Sequence, residues 1–256
     1  MRASNWSRDE LIVAFNLYCK IPFGRIHIRN PQIIELARAI GRSPSSVSWK
    51  LANFARLDPS LKKRNIAGAS HGSKSEEGIW DEFKDDWDNL AYVSERLLAK
   101  FLDHPIEYEN QPIPVEQELP IGRERESLVR IRVNQAFFRQ AVLTSYGNRC
   151  CITGISIPGL LNASHIVPWS IDTKNRTNPR NGLCLNALHD RAFDRGLITI
   201  MPDNKVRISE SVRNLAKSGD GEIGFLLNCE GREITLPERF APDPDFLRYH
   251  NAVVFK

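Results

Sequence analysis

The sequence predicts an α+β protein in two parts: a mainly helical N-terminal part, and a C-terminal part in which short strands flank a helix. Three observations point there. Apolar residues recur at helical spacing at Leu11, Ile12, Phe15 and Tyr18, and again through 32–57 and 79–98. Short β-branched runs, at Ile166-Val167, 197–201 and 206–208, follow in the last hundred residues. Between the two parts, 103–122 carries four prolines and many acids, a composition that reads as a semi-extended linker. The expected division is residues 1–102, a linker over 103–122, and residues 123–256.

With 256 residues there is ample chain for real cores, and 41% hydrophobic with 26% charged residues is a globular composition. No apolar run approaches the roughly 20 residues of a membrane span. The opening MRASNWSRDE is not a signal peptide. No membrane partner is therefore expected, and the location is read as cytoplasmic. Five cysteines (Cys19, Cys150, Cys151, Cys184 and Cys229) are odd in number and scattered, which argues against a disulfide framework. The net charge of +4 is unevenly spread. Residues 1–75 hold thirteen Lys/Arg against four acids, giving +9, and 76–103 hold nine acids against three bases, giving −6. A basic N-terminal third suggests a polyanion partner, since phosphate neutralisation supplies most non-specific DNA affinity. The acidic stretch fits a solvated helix face.

The elements follow in order. Ser7 with Glu10 three residues later forms a capping box for a helix through Lys20, broken by Pro22-Phe23-Gly24. A second helix, 32–40, opens after Asn30-Pro31. Gly41-Arg42-Ser43-Pro44 is a turn, and Ser45 or Ser46 can cap a third helix through Leu57. The 32–57 unit looks like a helix-turn-helix, with small Ala37 at the crossing and Val47 and Leu51 pointing to the core. Such a unit sets its second helix in the major groove of double-stranded DNA. Ser46, Trp49, Lys50, Asn53 and Arg56 are the candidate contacts, together with Lys62, Lys63 and Arg64 in the expected loop 58–78. A long helix over 79–102 carries an aromatic stripe that either closes the N-terminal core or forms a surface shared with a partner.

After the linker, 123–143 reads as an arginine-rich helix. His165 sits beside Ile166-Val167 in a short strand ended by Pro168, and a strand holds a side chain rigidly. Asn181-Gly182 is a turn-forming pair whose amide could face a base or a metal. His189 lies on a helix over 185–195 ended by Gly196, and a hairpin over 197–208 follows. Neutral imidazole suits a base acting near pH 7. Phosphodiester cleavage needs such a base and a divalent cation.

That order, with SHIVPW, Asn-Gly-Leu and His-x-x-x-Phe-Asp-x-Gly, resembles the HNH nuclease family, whose active site is a ββα-metal finger. The resemblance implies a metal-dependent DNA endonuclease of restriction type, sequence- or modification-dependent. It assigns His165 as general base, Asn181 as its orienter or a metal-side ligand, and His189 as metal ligand. The implied cofactor is Mg²⁺, with Mn²⁺ or another divalent cation as substitute. Some fingers of the family hold a structural zinc on two Cys-x-x-Cys pairs. Here Cys151-Ile-Thr-Gly replaces the first and no second exists, so structural zinc is not expected.

One position departs from the pattern. Ser164 stands where many members place Asp or His as a first metal ligand, and a hydroxyl is a poor ligand for a hard cation. A carboxylate from elsewhere is expected, Asp194 first and Asp190 as the alternative, unless Asp194 is held in a salt bridge to Arg176 or Arg195. Two competing readings remain open: a prophage or homing-type nickase, and a DNA-binding protein with an inactive finger. A homodimer through the stripe of 79–98 is expected to deliver double-strand cuts.

Overall fold

A computed structural model describes residues 5–65, 72–103, 123–218 and 223–256. The expected linker lies outside the described residues, apart from Asp103. The chain forms two compact units, Met1–Phe137 and Phe138–Lys256. The architecture is α+β and mainly helical, with short antiparallel strands.

In the first unit, α1 (Arg8–Lys20) opens with the expected capping box. Ser7 Oγ accepts from the Glu10 N–H at 3.2 Å, and Glu10 Oε2 accepts from the Ser7 N–H at 2.6 Å. Helix α2 (Pro31–Ala39) starts on proline, with Asn30 Oδ1 accepting from the Gln32 N–H at 2.9 Å. Gly41, at φ +66°, turns the chain into α3 (Pro44–Ala55). The cap of α3 is Ser43, not Ser45 or Ser46, because Pro44 already occupies the first helical position. The expected loop after Leu57 contains a further helix, α4 (Pro59–Lys63), capped by Asp58.

The helix expected over 79–102 is two helices, α5 (Lys74–Phe83) and α6 (Trp87–Leu102). The apolar stripe runs through the break and hides it. What interrupts the chain is Asp86, whose carboxylate accepts from the Asn89 N–H at 3.3 Å and caps a new helix. Phe83, Trp87 and Leu90 are buried, so this part of the stripe belongs to the core. Phe15 lies at its centre, 4.9 Å from the Phe54 ring and 5.2 Å from Trp80. Burying each such side chain stabilises the unit by about 1.5–3 kcal/mol.

The second unit takes the C-terminal turns of α7 (Arg123–Ser145) and lays β1 (Leu161–His165) antiparallel to β2 (Gly182–Asn186), with His165 opposite Gly182. Strand β1 ends just before the Ile166-Val167 run expected to carry it, and both of those residues are buried. Gly182 has no room for a side chain. A Cβ there would sit 2.4 Å from Val142 Cγ2 and 2.9 Å from the Phe138 ring, so glycine lets the sheet rest directly on α7. Helix α8 (Ala187–Asp194) follows β2 without a loop, because Asn186 Oδ1 accepts from the Leu188 and His189 N–H groups. Gly196, at φ +67°, ends it as expected, with the Leu197 N–H bonded to the Ala192 carbonyl at 2.9 Å.

The expected hairpin is β3 (Ile198–Ile200) against β4 (Val206–Ile208). Helices α9 (Glu210–Ser218), α10 (Gly224–Leu227) and α11 (Pro244–Tyr249) complete the unit. Phe138, Leu161, Leu183, Phe193 and Ile198 form the centre of its core. Among the described residues, no helix is long and apolar enough to cross a membrane.

Candidate active site

His165 closes β1 at the mouth of the 166–181 connection. Its ring stacks on Phe138 with centroids 3.8 Å apart and planes within 10°, and Trp169 meets it edge-on at 5.5 Å. Nε2 lies 2.8 Å from the Arg176 carbonyl oxygen. A carbonyl only accepts, so Nε2 carries the proton and Nδ1 keeps its lone pair. Desolvation by burial lowers the imidazole pKa; the Arg176 bond and the charge of Asp190 oppose this without reversing it. The ring is therefore a neutral, oriented base at pH 7.

Asn181 is fully buried and its amide is engaged by backbone. Oδ1 accepts from the Val167 N–H at 2.8 Å, and Nδ2 donates to the Val167 carbonyl at 3.1 Å and to the Asn175 carbonyl at 3.3 Å. The side chain thus ties both ends of the connection together. Asp172 organises the middle, accepting from the Lys174 and Asn175 N–H groups at 3.1 Å each. Together these bonds place the Arg176 carbonyl on His165.

His189 points into a different environment. It is 3% exposed, and Asn186 Nδ2 donates to its Nδ1 at 2.7 Å. With Nδ1 accepting, the proton sits on Nε2, which faces Cys229 Sγ at 3.5 Å. Both ring nitrogens are therefore engaged in this geometry, Nδ1 by Asn186 and Nε2 by Cys229. The five cysteines are buried free thiols.

The α8 residue whose charge reaches His165 is Asp190. Asp190 acts electrostatically on both His165 and Asp194. The two carboxylates are four residues apart and share one helix face. Desolvation and then the like charge of Asp190 raise the Asp194 pKa, against a lowering by Arg191 and Arg195. Asn162 Nδ2 donates to Asp190 Oδ2 at 2.7 Å. Ser164 is buried, and its Oγ has no hydrogen-bond partner among the described residues. Among the described residues, no three of His, Cys, Asp and Glu converge as a ready cage. A half-buried Asp190 and an exposed Asp194 one helical turn on nevertheless fit a hard divalent cation of the Mg²⁺ type, which keeps several waters and takes one or two carboxylates from protein. The i, i+4 spacing of Asp190 and Asp194 was visible in the sequence; the part played by Asn162 was not.

The proposed DNA contacts divide into two groups. Glu76, fully buried, accepts from Lys50 Nζ and, at 3.0 Å, from Asn53 Nδ2. Arg56 pairs with Glu77 at 2.9 Å. Ser46 Oγ accepts from Trp6 Nε1 at 3.3 Å. Trp49 is 65% exposed, and Lys62, Lys63 and Arg64 are exposed.

Two antiparallel strands run directly into a helix, with a histidine closing the first strand and acidic residues on the helix, a ββα arrangement. Residues 150–201, which span β1, β2, α8 and β3, match the family model described as HNH endonuclease, and this part of the chain is an HNH-family domain. Nucleases of this family generally use a divalent metal. No curated protein matches the chain.

Proposed function

We propose that the protein is a metal-dependent endodeoxyribonuclease of restriction type, in which the N-terminal unit selects a site on double-stranded DNA and the finger hydrolyses a phosphodiester there. The observation that carries this reading is the tautomer of His165. With Nε2–H bonded to the Arg176 carbonyl, Nδ1 takes a proton from water as the water oxygen attacks phosphorus and the bond to the leaving oxygen breaks. The resulting imidazolium is stabilised by the same carbonyl and by the charge of Asp190. Asp190 and Asp194 would hold the cation, and the chemistry it would supply there is neutralisation of charge on the phosphate and the departing oxygen. Asn181 acts as a positioning residue through Val167 and the connection that presents Arg176.

Exposed Trp49 and the run Lys62, Lys63 and Arg64 support DNA contact by the first unit, through stacking or groove packing and through phosphate neutralisation. A homodimer would bring two His165 sites to opposite strands. The half-buried Val93, Leu97 and Leu98 of α6 are the surface left for it. Incubating plasmid with the protein and Mg²⁺ or Mn²⁺, with and without chelator, tests the activity. Linear product in the metal lanes alone is expected, nicked circles alone favour the nickase, and intact plasmid throughout overturns the enzyme reading. A panel of unmodified, methylated and hydroxymethylated DNA then separates sequence from modification dependence.

A further inference from the structure

We propose that Asn162 is a positioning residue that sets the Asp190 carboxylate for cation binding, an inference that rests on the nuclease reading above. Asn162 is the second residue of β1, opposite Leu185 in the sheet register, and Asp190 lies on α8. Their bond, Nδ2–H to Oδ2 at 2.7 Å, joins residues 28 apart in sequence and ties the strand that ends in the base to the helix that carries the acids. Asp190 is also the group whose charge reaches both His165 and Asp194.

The chemistry of the donor matters. A carboxylate free to rotate loses conformational freedom when it takes a cation, and fixing one oxygen beforehand removes part of that cost while leaving the second oxygen for the ion. A lysine or arginine here would also orient the carboxylate, but it would cancel the negative charge that attracts the cation. A neutral amide orients without neutralising. Because Ser164 supplies no carboxylate from β1, Asn162 is the contribution of that strand to the acidic pair.

A simple strut between β1 and α8 would show the same hydrogen bond, so the test reads cation affinity directly. Full-length protein carrying His165→Ala, which prevents turnover, is titrated with Mn²⁺ by calorimetry, alone and combined with Asn162→Leu. Loss of an outer hydrogen bond of this kind costs about 10- to 100-fold in metal affinity. At least a roughly tenfold weaker Mn²⁺ affinity is expected, and the metal-free unfolding midpoint is measured alongside to register any structural effect. A lower midpoint with unchanged affinity overturns the positioning role. Should Asn162→Leu not fold, Asn162→Ala is read in the same way, with the same two outcomes. Asp190→Asn in the same background separates the two levels of inference. Loss of Mn²⁺ binding there, with none in Asn162→Leu, removes only the role of Asn162. Unchanged binding in Asp190→Asn removes the cation site on which it depends.

Discussion

The Nε2–H of His165 donates to the carbonyl oxygen of Arg176 at 2.8 Å, and the ring it orients lies flat on Phe138. Both contacts act on the imidazole before any substrate arrives. One fixes the tautomer, and the other fixes the plane and excludes water. His165→Ala is expected to lower the cleavage rate by about 10²–10⁴-fold, the usual contribution of a positioned base, with DNA affinity little changed. A plasmid assay paired with a binding titration checks it. Near wild-type cleavage by a folded variant removes His165 from the chemistry.

The same environment sets a pH profile. Burial lowers the His165 pKa below its ordinary value near 6.5, and a general base works in its neutral form. The acidic limb of the rate should therefore inflect below pH 6.5, with activity rising as pH rises through that point and flat above it. Single-turnover rates at saturating metal measure it. A limb centred above 6.5 contradicts the burial argument.

Lys50 and Glu76 carry the next prediction, and it concerns stability. Glu76 is fully buried; burial raises its pKa, but hydrogen bonds from Lys50, Ser73 and Asn53 outweigh this and bring it to about 2. Lys50→Ala leaves that buried carboxylate without its cation, with only the Ser73 and Asn53 hydrogen bonds, and the unit should lose roughly 3 kcal/mol, as for other buried pairs missing one partner. Replacing both residues with apolar side chains of similar size should recover most of the loss. The pair's contribution is fully present above the ordinary glutamate value near 4.5 and is lost as pH falls toward about 2. Urea unfolding of the two variants tests this, and an unchanged midpoint in Lys50→Ala refutes it.

A further prediction lies at the C-terminus, where His250 is buried against the finger. It stacks on Phe193 with centroids 3.7 Å apart, contacts Thr199 Oγ1 at 2.8 Å through Nδ1 and donates from Nε2 to the Phe193 carbonyl at 3.2 Å. Desolvation lowers its pKa to about 4. The unfolded chain thus takes a proton near pH 6.5 that the folded chain refuses until about 4. Stability from this residue is present above 6.5 and falls away between those values, by up to about 3 kcal/mol. Gly196 belongs to the same clamp, since a Cβ there would meet the Val254 carbonyl oxygen at 2.0 Å in a left-handed backbone. His250→Gln should flatten the stability profile between pH 4 and 6.5, and Gly196→Ala should lower the melting temperature by several degrees at any pH. An unflattened profile in thermal melts speaks against the first, and an unshifted midpoint against the second.

What could be read from sequence was local. The capping box at Ser7, the turn at Gly41, the end of α8 at Gly196 and the hairpin around 202–205 each depend on a few adjacent residues, and each is present. The break between α5 and α6 was hidden because apolar spacing runs through it, and only Asp86 marks the new start. Within the site, the position of His165 followed from its strand, but its tautomer depends on a carbonyl eleven residues away. The amide of Asn181 looked free for a base or a metal because nothing in the sequence says that Val167 returns to it. Lys50 and Arg56 looked available for phosphate because their acidic partners, Glu76 and Glu77, lie 26 and 21 residues further along the chain.

The last prediction sets His189 against Asp194. Adjacent faces of α8 carry them into unlike surroundings, one into a buried cluster with Asn186 and Cys229, the other beside Asp190. Because Nδ1 of His189 already accepts from Asn186 and Nε2 faces a thiol, its removal should act on packing. His189→Ala should destabilise the finger by about 2 kcal/mol, through an unsatisfied Asn186 amide and a small cavity. Its Mg²⁺ titration should not shift once the remaining folded fraction is accounted for. Asp194→Asn should do the reverse, raising the half-saturating Mg²⁺ concentration about tenfold or more with little change in melting temperature, because the asparagine also relieves repulsion from Asp190. Cleavage rates against Mg²⁺ for both variants, beside their thermal melts, decide between the two assignments. A shifted titration in a stable His189→Ala protein restores that histidine as the ligand.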